Sequence, residues 1–310
     1  MAAASQDRSQ LITDLCDSWV GAATGGGGLQ LGADTEKFRL RNNGIQAHDL
    51  DYAELRATCI GLTKVLLHPG LNTVIDWDHQ ALWAWCAEVL AGSRAQFFSA
   101  NERELKDLLG IACRAALAGV SKPGPGGFEE ARRRSEMMEP NAQQLVMRAH
   151  QVLVYLAFPL LEGILRKVGR NYVDYDGRVL APFQGRTRQY KVGDRCNSLA
   201  DLLGLLYSAV ASADLKRALT EFRQHLSRLV AGTDPFDTIF EWRNSSLHGS
   251  TSLPTIGGTI FTMALLIALD QVEATYQALR SDTLQQVRWE LQTGGITHHR
   301  SPWSYYPPWV

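Results

Sequence analysis

Residues 234–269 read DPFDTIFEWRNSSLHGSTSLPTIGGTIFTMALLIAL, and the fold follows from how this stretch is parsed. Asp234 before Pro235 places an N-cap residue ahead of a proline at the first helical position, so a helix is expected to start there. Phe236, Ile239 and Phe240 then recur at helical spacing. Ser245 and Ser246 weaken that helix after Arg243, and Gly249 with Pro254 ends it. The longest apolar run follows, from Ile256 to Leu269, and contains Gly257, Gly258 and two threonines. It is too short to span a bilayer and reads as a buried helix.

Between these two helices stand Arg243, Asn244 and His248, a permanent cation and an imidazole with four residues between them. This set approaches the minimum for cutting RNA without a metal. Neutral imidazole takes the proton of a ribose 2′-hydroxyl, and imidazolium protonates the departing 5′-oxygen. A guanidinium holds the doubly charged phosphorane between those events. On an unbroken helix residues five apart sit roughly 140° apart around the axis, which suits joint work poorly. Fraying through Ser245 and Ser246 is therefore expected, letting His248 swing back toward Arg243. The plain alternative is an Arg and a His that only stabilise a helix C-terminus.

WRNSSLHG resembles the signature of the HEPN superfamily (higher eukaryotes and prokaryotes nucleotide-binding), in which Arg and a polar residue precede His by a short gap. The apolar helix from Pro254 to about Arg280 and the upstream stretch LVYLAFPLLEGILRKVG resemble that family's long core helices. Glu162 stands where many members carry an acidic residue facing the site. The likeness covers roughly residues 128–283. It implies a bundle of four or five helices, a two-fold homodimer joining two motifs at one cleft, and RNA cutting without metal or cofactor in toxin–antitoxin, phage-defence or CRISPR-linked settings. Carried over by position, His248 is the acid and base, Arg243 the phosphate clamp, and Asn244 a residue that bonds phosphate or fixes the His. Glu162 is the least certain of the set, since a paired helix charge explains it equally. The alternative is a non-catalytic module of the same kind that binds RNA, a nucleotide or a protein partner such as an antitoxin.

At 310 residues and 45% hydrophobic, the chain can bury a sizeable core and is expected to hold two domains. Net charge is −1, but residues 1–130 carry −5 and residues 131–310 carry +4, so the second half is the candidate for facing a polyanion. Arg186, Arg188 and Lys191 lie in the most basic part, 164–195, as candidate RNA contacts; scattered basic residues on a solvated hairpin explain them equally well. Five separated cysteines without a Cys-x-x-Cys or Cys/His cluster argue against zinc or disulfides and fit a reducing cytoplasm. MAAASQDRSQ lacks the marks of a signal peptide, and a soluble cytoplasmic protein is expected.

The expected class is mainly α. An N-terminal helical domain spans 1–120, the linker SKPGPGG spans 121–127, a HEPN-like bundle spans 128–283, and an aromatic and proline-rich tail spans 284–310. Helical periodicity appears near 49–68, 78–92 and 101–119, then at 140–169 with a kink expected near Phe158 because of Pro159. NYVDYDGRVL reads as a short inserted β-hairpin turning at Asp-Gly. Helices are expected near 197–211 and 214–231. The tail THHRSPWSYYPPWV cannot be a regular helix, and its aromatics suggest packing on this protein or on a partner.

Several other signals carry little. Gly92-Ser93-Arg94 opens like a nucleotidyltransferase motif, but the Ser-Asp-x-Asp that should follow is absent. The glycine run at 25–28 lacks the Lys-Ser/Thr of a phosphate loop. His298-His299 read as an exposed tail, and His150 and His225 as satisfied helix residues. Ser245 and Ser246 lack the strand–turn–helix elbow of a serine hydrolase.

Overall fold

Capping side chains set where five of the described helices begin. In a computed structural model, residues 7–24, 33–68, 75–120, 122–228, 234–248, 254–297 and 303–309 are described. In chain order the helices are α1 (Arg8–Thr24), α2 (Ala33–Glu36), α3 (Tyr52–Leu67), α4 (Trp77–Ala91), α5 (Arg103–Leu117), α6 (Gly127–Glu136), α7 (Pro140–Met147) and α8 (Ala149–Val168). Strands β1 (Phe183–Gln184) and β2 (Gln189–Tyr190) come next, then α9 (Leu199–Leu205), α10 (Ala213–Ser227), α11 (Pro235–Leu247), α12 (Pro254–Asp270) and α13 (Tyr276–Thr297). Asp51 caps α3 with Glu54 reaching back, and Asp76, Ser198, Ser212 and Asp234 accept backbone N–H bonds at the starts of α4, α9, α10 and α11.

The apolar run at 256–269 is buried on every side, as a helix without a polar face must be. It lies against α8 on one flank and against α3 and α4 on the other. Two adjacent glycines make both approaches possible. A Cβ at Gly257 would stand 3.0 Å from the Val154 backbone nitrogen, and one at Gly258 would stand 3.1 Å from Leu66 and Trp83. Two sets of polar groups inside this core are bonded to each other, while the Thr259 hydroxyl has no partner among the described residues. The Trp83 indole donates to Thr262 Oγ1 at 2.8 Å, and that hydroxyl donates to the Gly258 carbonyl at 2.8 Å. Trp85 donates to Tyr276 Oη at 3.1 Å, which donates to the Leu50 carbonyl.

Helices from both sides of 121–127 share this core, since α5 packs on α8 and α10 on α3. Residues 122–126 of the expected linker form a surface turn, with Gly124 and Gly126 at positive φ, rather than a division between two cores. The chain is mainly α, with a single two-stranded antiparallel sheet among the described residues, Phe183 opposite Tyr190. NYVDYDGRVL does turn at Asp-Gly, but it forms only isolated bridges, Val173 to Val179 and Arg178 to Arg195; the regular strands lie further along.

Three other boundaries moved for packing reasons. The kink expected near Phe158 falls at Arg148, where α7 and α8 meet at 58°. Pro159 sits inside an unbroken α8. Its missing hydrogen bond belongs to the Tyr155 carbonyl, and both residues lie on the exposed side, where water can serve. The apolar helix ends at Asp270, not near Arg280, and a 70° bend leads into the last helix. The polar sequence Asp270-Gln271-Val272-Glu273 offers nothing to continue the buried face. The tail begins later than residue 284, because α13 runs to Thr297. Its described part, 303–309, packs on the protein itself: the Tyr305 and Tyr306 amides donate to Glu88, and Tyr306 Oη meets His48 Nδ1 at 2.7 Å. No single described helix is long and apolar enough to cross a membrane, though two bent pairs pass by length and composition.

Glu102, just before α5, joins the end of α8 to the segment after it. Lys167 donates to its carboxylate at 2.6 Å, and Tyr175 donates to it as well. Burial pushes the Glu102 pKa up, but bonds from Lys167, Tyr175 and Ser99 outweigh it and hold the carboxyl near about 2, against 4.5 for a free glutamate.

Two outcomes follow from this packing. Thr262→Val leaves the buried Trp83 N–H without a partner and is expected to cost about 1–3 kcal/mol in urea unfolding. In acid, the unfolded chain protonates Glu102 below about 4.5 while the folded protein resists until about 2. This contribution is therefore present above that window and lost as pH falls through it. Lys167→Met is expected to flatten that part of a stability-versus-pH curve measured by thermal unfolding.

Candidate functional site

The helix α11 starts where the sequence directs. Asp234 accepts the Phe236 amide at 2.8 Å, with Pro235 next. Phe236, Thr238 and Ile239 are buried, seating the helix against α8, α9 and α10. Its far end departs from expectation. The helix does not fray after Arg243 but runs through both serines to Leu247, and His248 caps it, its amide bonded to the Asn244 carbonyl at 3.0 Å. Ser246 is fully buried, with its hydroxyl unbonded among the described residues. Burial of that side of the last turn opposes fraying. Gly249, expected to end the helix, lies outside the described residues.

Glu162 and Arg243 are brought together from helices 81 positions apart in sequence. Arg243 Nε donates to Glu162 Oε1 at 2.6 Å, with the two side chains 27% and 17% exposed. Only Nε is engaged. Among the described residues the two terminal nitrogens of the guanidinium have no partner, so the ion pair orients the fork and leaves two donor ends for an anion. Asn244 is half-buried with its side-chain amide unbonded among the described residues, and His248 is exposed. With the helix intact, Arg243 and His248 keep a separation of roughly 140° around the axis.

The three candidate RNA contacts fare differently. Arg186 lies in the turn between β1 and β2 and is paired with Asp234 at 3.2 Å and with Asp237. Its charge is therefore met by the carboxylates that open α11, and it ties the hairpin to that helix. Arg223 on α10 reaches Asp234 at 3.1 Å, adding a third element to the junction. Arg188 is exposed over the Tyr190 ring and donates to the Arg195 carbonyl, and Lys191 is exposed. These two cations are open to solvent.

Sequence reading passed over a second polar region. His225, taken as a satisfied helix residue, lines a cavity of about 380 Å³ between α1, α3 and α10. Only the pairing of α3 with α10 reveals it, because Arg56 and Lys64 lie far from His225 in sequence. His150 lines a smaller groove of about 240 Å³ beside the bend between α7 and α8. Of the remaining decoys, His298 and His299 lie outside the described residues, and all five cysteines are buried and unpaired.

Comparison with protein-family models, with curated proteins and with solved structures found no match for this chain.

Proposed function

We propose that this chain is a metal-independent endoribonuclease of HEPN type, acting as a homodimer in a toxin–antitoxin or phage-defence setting in the cytoplasm. The observation that carries the reading is the guanidinium of Arg243, aimed by Glu162 and open at both terminal nitrogens, five positions before an exposed His248 on the same helix. In the reaction, the ribose 2′-oxygen attacks phosphorus as an imidazole removes its proton. The P–O5′ bond breaks as a second imidazole protonates the leaving oxygen, giving a 2′,3′-cyclic phosphate and a 5′-hydroxyl. Arg243 neutralises the phosphorane, Asn244 bonds a phosphate oxygen, and Glu162 positions Arg243. Each chain supplies one His248, so base and acid come from two copies. A two-fold neighbour also removes the angular difficulty, because His248 of one copy then faces Arg243 of the other. Arg188 and Lys191 hold flanking phosphates.

A second reading rests on a specific feature. The intact helix keeps His248 away from Arg243 within one chain, and the Glu162 pair lowers the cationic character of the clamp. A module that binds RNA, a nucleotide or a protein partner without cutting needs only the open guanidinium.

The two readings separate in one assay: purified protein with end-labelled RNA in EDTA. On the nuclease reading, cutting persists in chelator and the products carry 2′,3′-cyclic phosphate. His248→Ala is expected to lose about 10²–10⁴ in rate, and Arg243→Ala about 10²–10³. Full cutting by His248→Ala refutes the site. RNA retention without products, weakened by Arg243→Ala, favours the binding module.

A further inference from the structure

The cavity between α1, α3 and α10 is built from different helices than the Arg243 site and does not depend on the nuclease reading. Along α3, Arg56, Ile60 and Lys64 follow one another at four-residue steps, and along α10, Arg217, Glu221 and His225 do the same. The two helices run side by side in the same direction. Arg56 and Arg217 share Asp214 at 2.9 and 3.0 Å at one end, while Lys64, His225 and Arg228 lie in electrostatic reach of one another at the other. The eight helical steps from Arg56 to Lys64 make the groove about 12 Å long. Ser9, Gln10 and Thr13 of α1 line its remaining wall.

Carboxylates meet the cations that line this groove at both of its ends. Asp7 accepts the Ser9 amide, Asp17 pairs with Lys64, and Asp214 serves both arginines at its end. At that end Lys64 lines the groove paired with Asp17, while the neutral ring of His225, and Arg228 just beyond the lining residues, have no side-chain hydrogen bond or ion pair among the described residues. Glu221, midway along, is an exposed acceptor without a described partner.

We propose that this groove binds a small phosphorylated molecule, its phosphate among Lys64, His225 and Arg228 and its polar remainder against Thr13, Gln10 and Glu221. An ammonium, a ring N–H and a guanidinium in electrostatic reach of one another suit the three free oxygens of a phosphomonoester. A volume of about 380 Å³ takes a small metabolite rather than a polymer. Burial, with Lys64 and Arg228 alongside, holds His225 down near about 4, so the ring is neutral at pH 7 in the empty protein. A bound dianion opposes all of these effects, so binding draws a proton onto the ring.

The test uses the full chain with glycerol phosphate and inorganic phosphate as probes, reading the His225 ring by NMR and affinity by calorimetry. Glycerol phosphate is expected to shift the His225 resonances and raise its titration midpoint by at least about one pH unit, a tenfold change in proton affinity. Arg228→Gln lies on an exposed position and is expected to keep the fold, checked by circular dichroism, while weakening binding about tenfold. Glycerol phosphate is expected to bind severalfold tighter than inorganic phosphate, since Glu221 and Thr13 have hydroxyls to meet. An unmoved His225 midpoint in millimolar glycerol phosphate, or unchanged affinity in Arg228→Gln, overturns the site. Equal affinity for the two probes overturns the reading of an organic ligand.

Discussion

Everything in this fold is arranged around a helix that has no wet side. Residues 256–269 carry no charge and are buried all round, so other helices must enclose them. Enclosure at close range requires small residues where backbones cross, and Gly257 and Gly258 supply them on opposite flanks, one against α8 and one against α3 and α4. The same helix therefore reaches into both halves of the sequence. That is why a proline- and glycine-rich stretch at 122–127 that looks like a linker separates no cores. A chain half without α12 would expose Leu66 and Trp83, and the other half would expose Val154.

The polar groups trapped by this arrangement explain why it has one register. Trp83, Thr262 and Gly258 satisfy each other, as do Trp85, Tyr276 and Leu50. Sliding α12 by one residue would turn Thr262 away from the indole and strand the Trp83 N–H, at a cost of about 1–3 kcal/mol. Apolar burial supplies most of the driving force, while these bonds select among the ways of burying the same helix.

What the sequence revealed was local, and what it concealed was set by partners distant in the chain. The start of α11 was legible because Asp234 and Pro235 act within one turn. Its end was misread, since serine's weak helix propensity is overridden by burial of Ser246. Pro159 was taken for a kink because its exposed setting could not be seen, and the true bend at Arg148 has no breaker residue to mark it. Within the candidate site, Glu162 and Arg243 were picked out from a family likeness and meet at 2.6 Å, although nothing in either local sequence announces the pair. Arg186 shows the converse. Counting charges in 164–195 made it a candidate contact, yet Asp234 and Asp237 already meet its charge.

The Glu162–Arg243 pair also constrains any chemistry at this surface. A half-buried guanidinium held through Nε has lost most of its rotamer freedom before a ligand arrives, so its two terminal nitrogens bind at a lower entropic cost than a free arginine would. The carboxylate that orients the fork also competes for its charge. An incoming phosphate must therefore bring two negative oxygens to the open ends to win the same cation. A neutral ligand gains little here, and a crowded phosphorane gains most. Helix periodicity then fixes the rest: with α11 regular to Leu247, an imidazole from the same chain approaches from the wrong side of the axis. On the proposed nuclease reading, a single copy clamps the phosphate and the proton comes from a second copy.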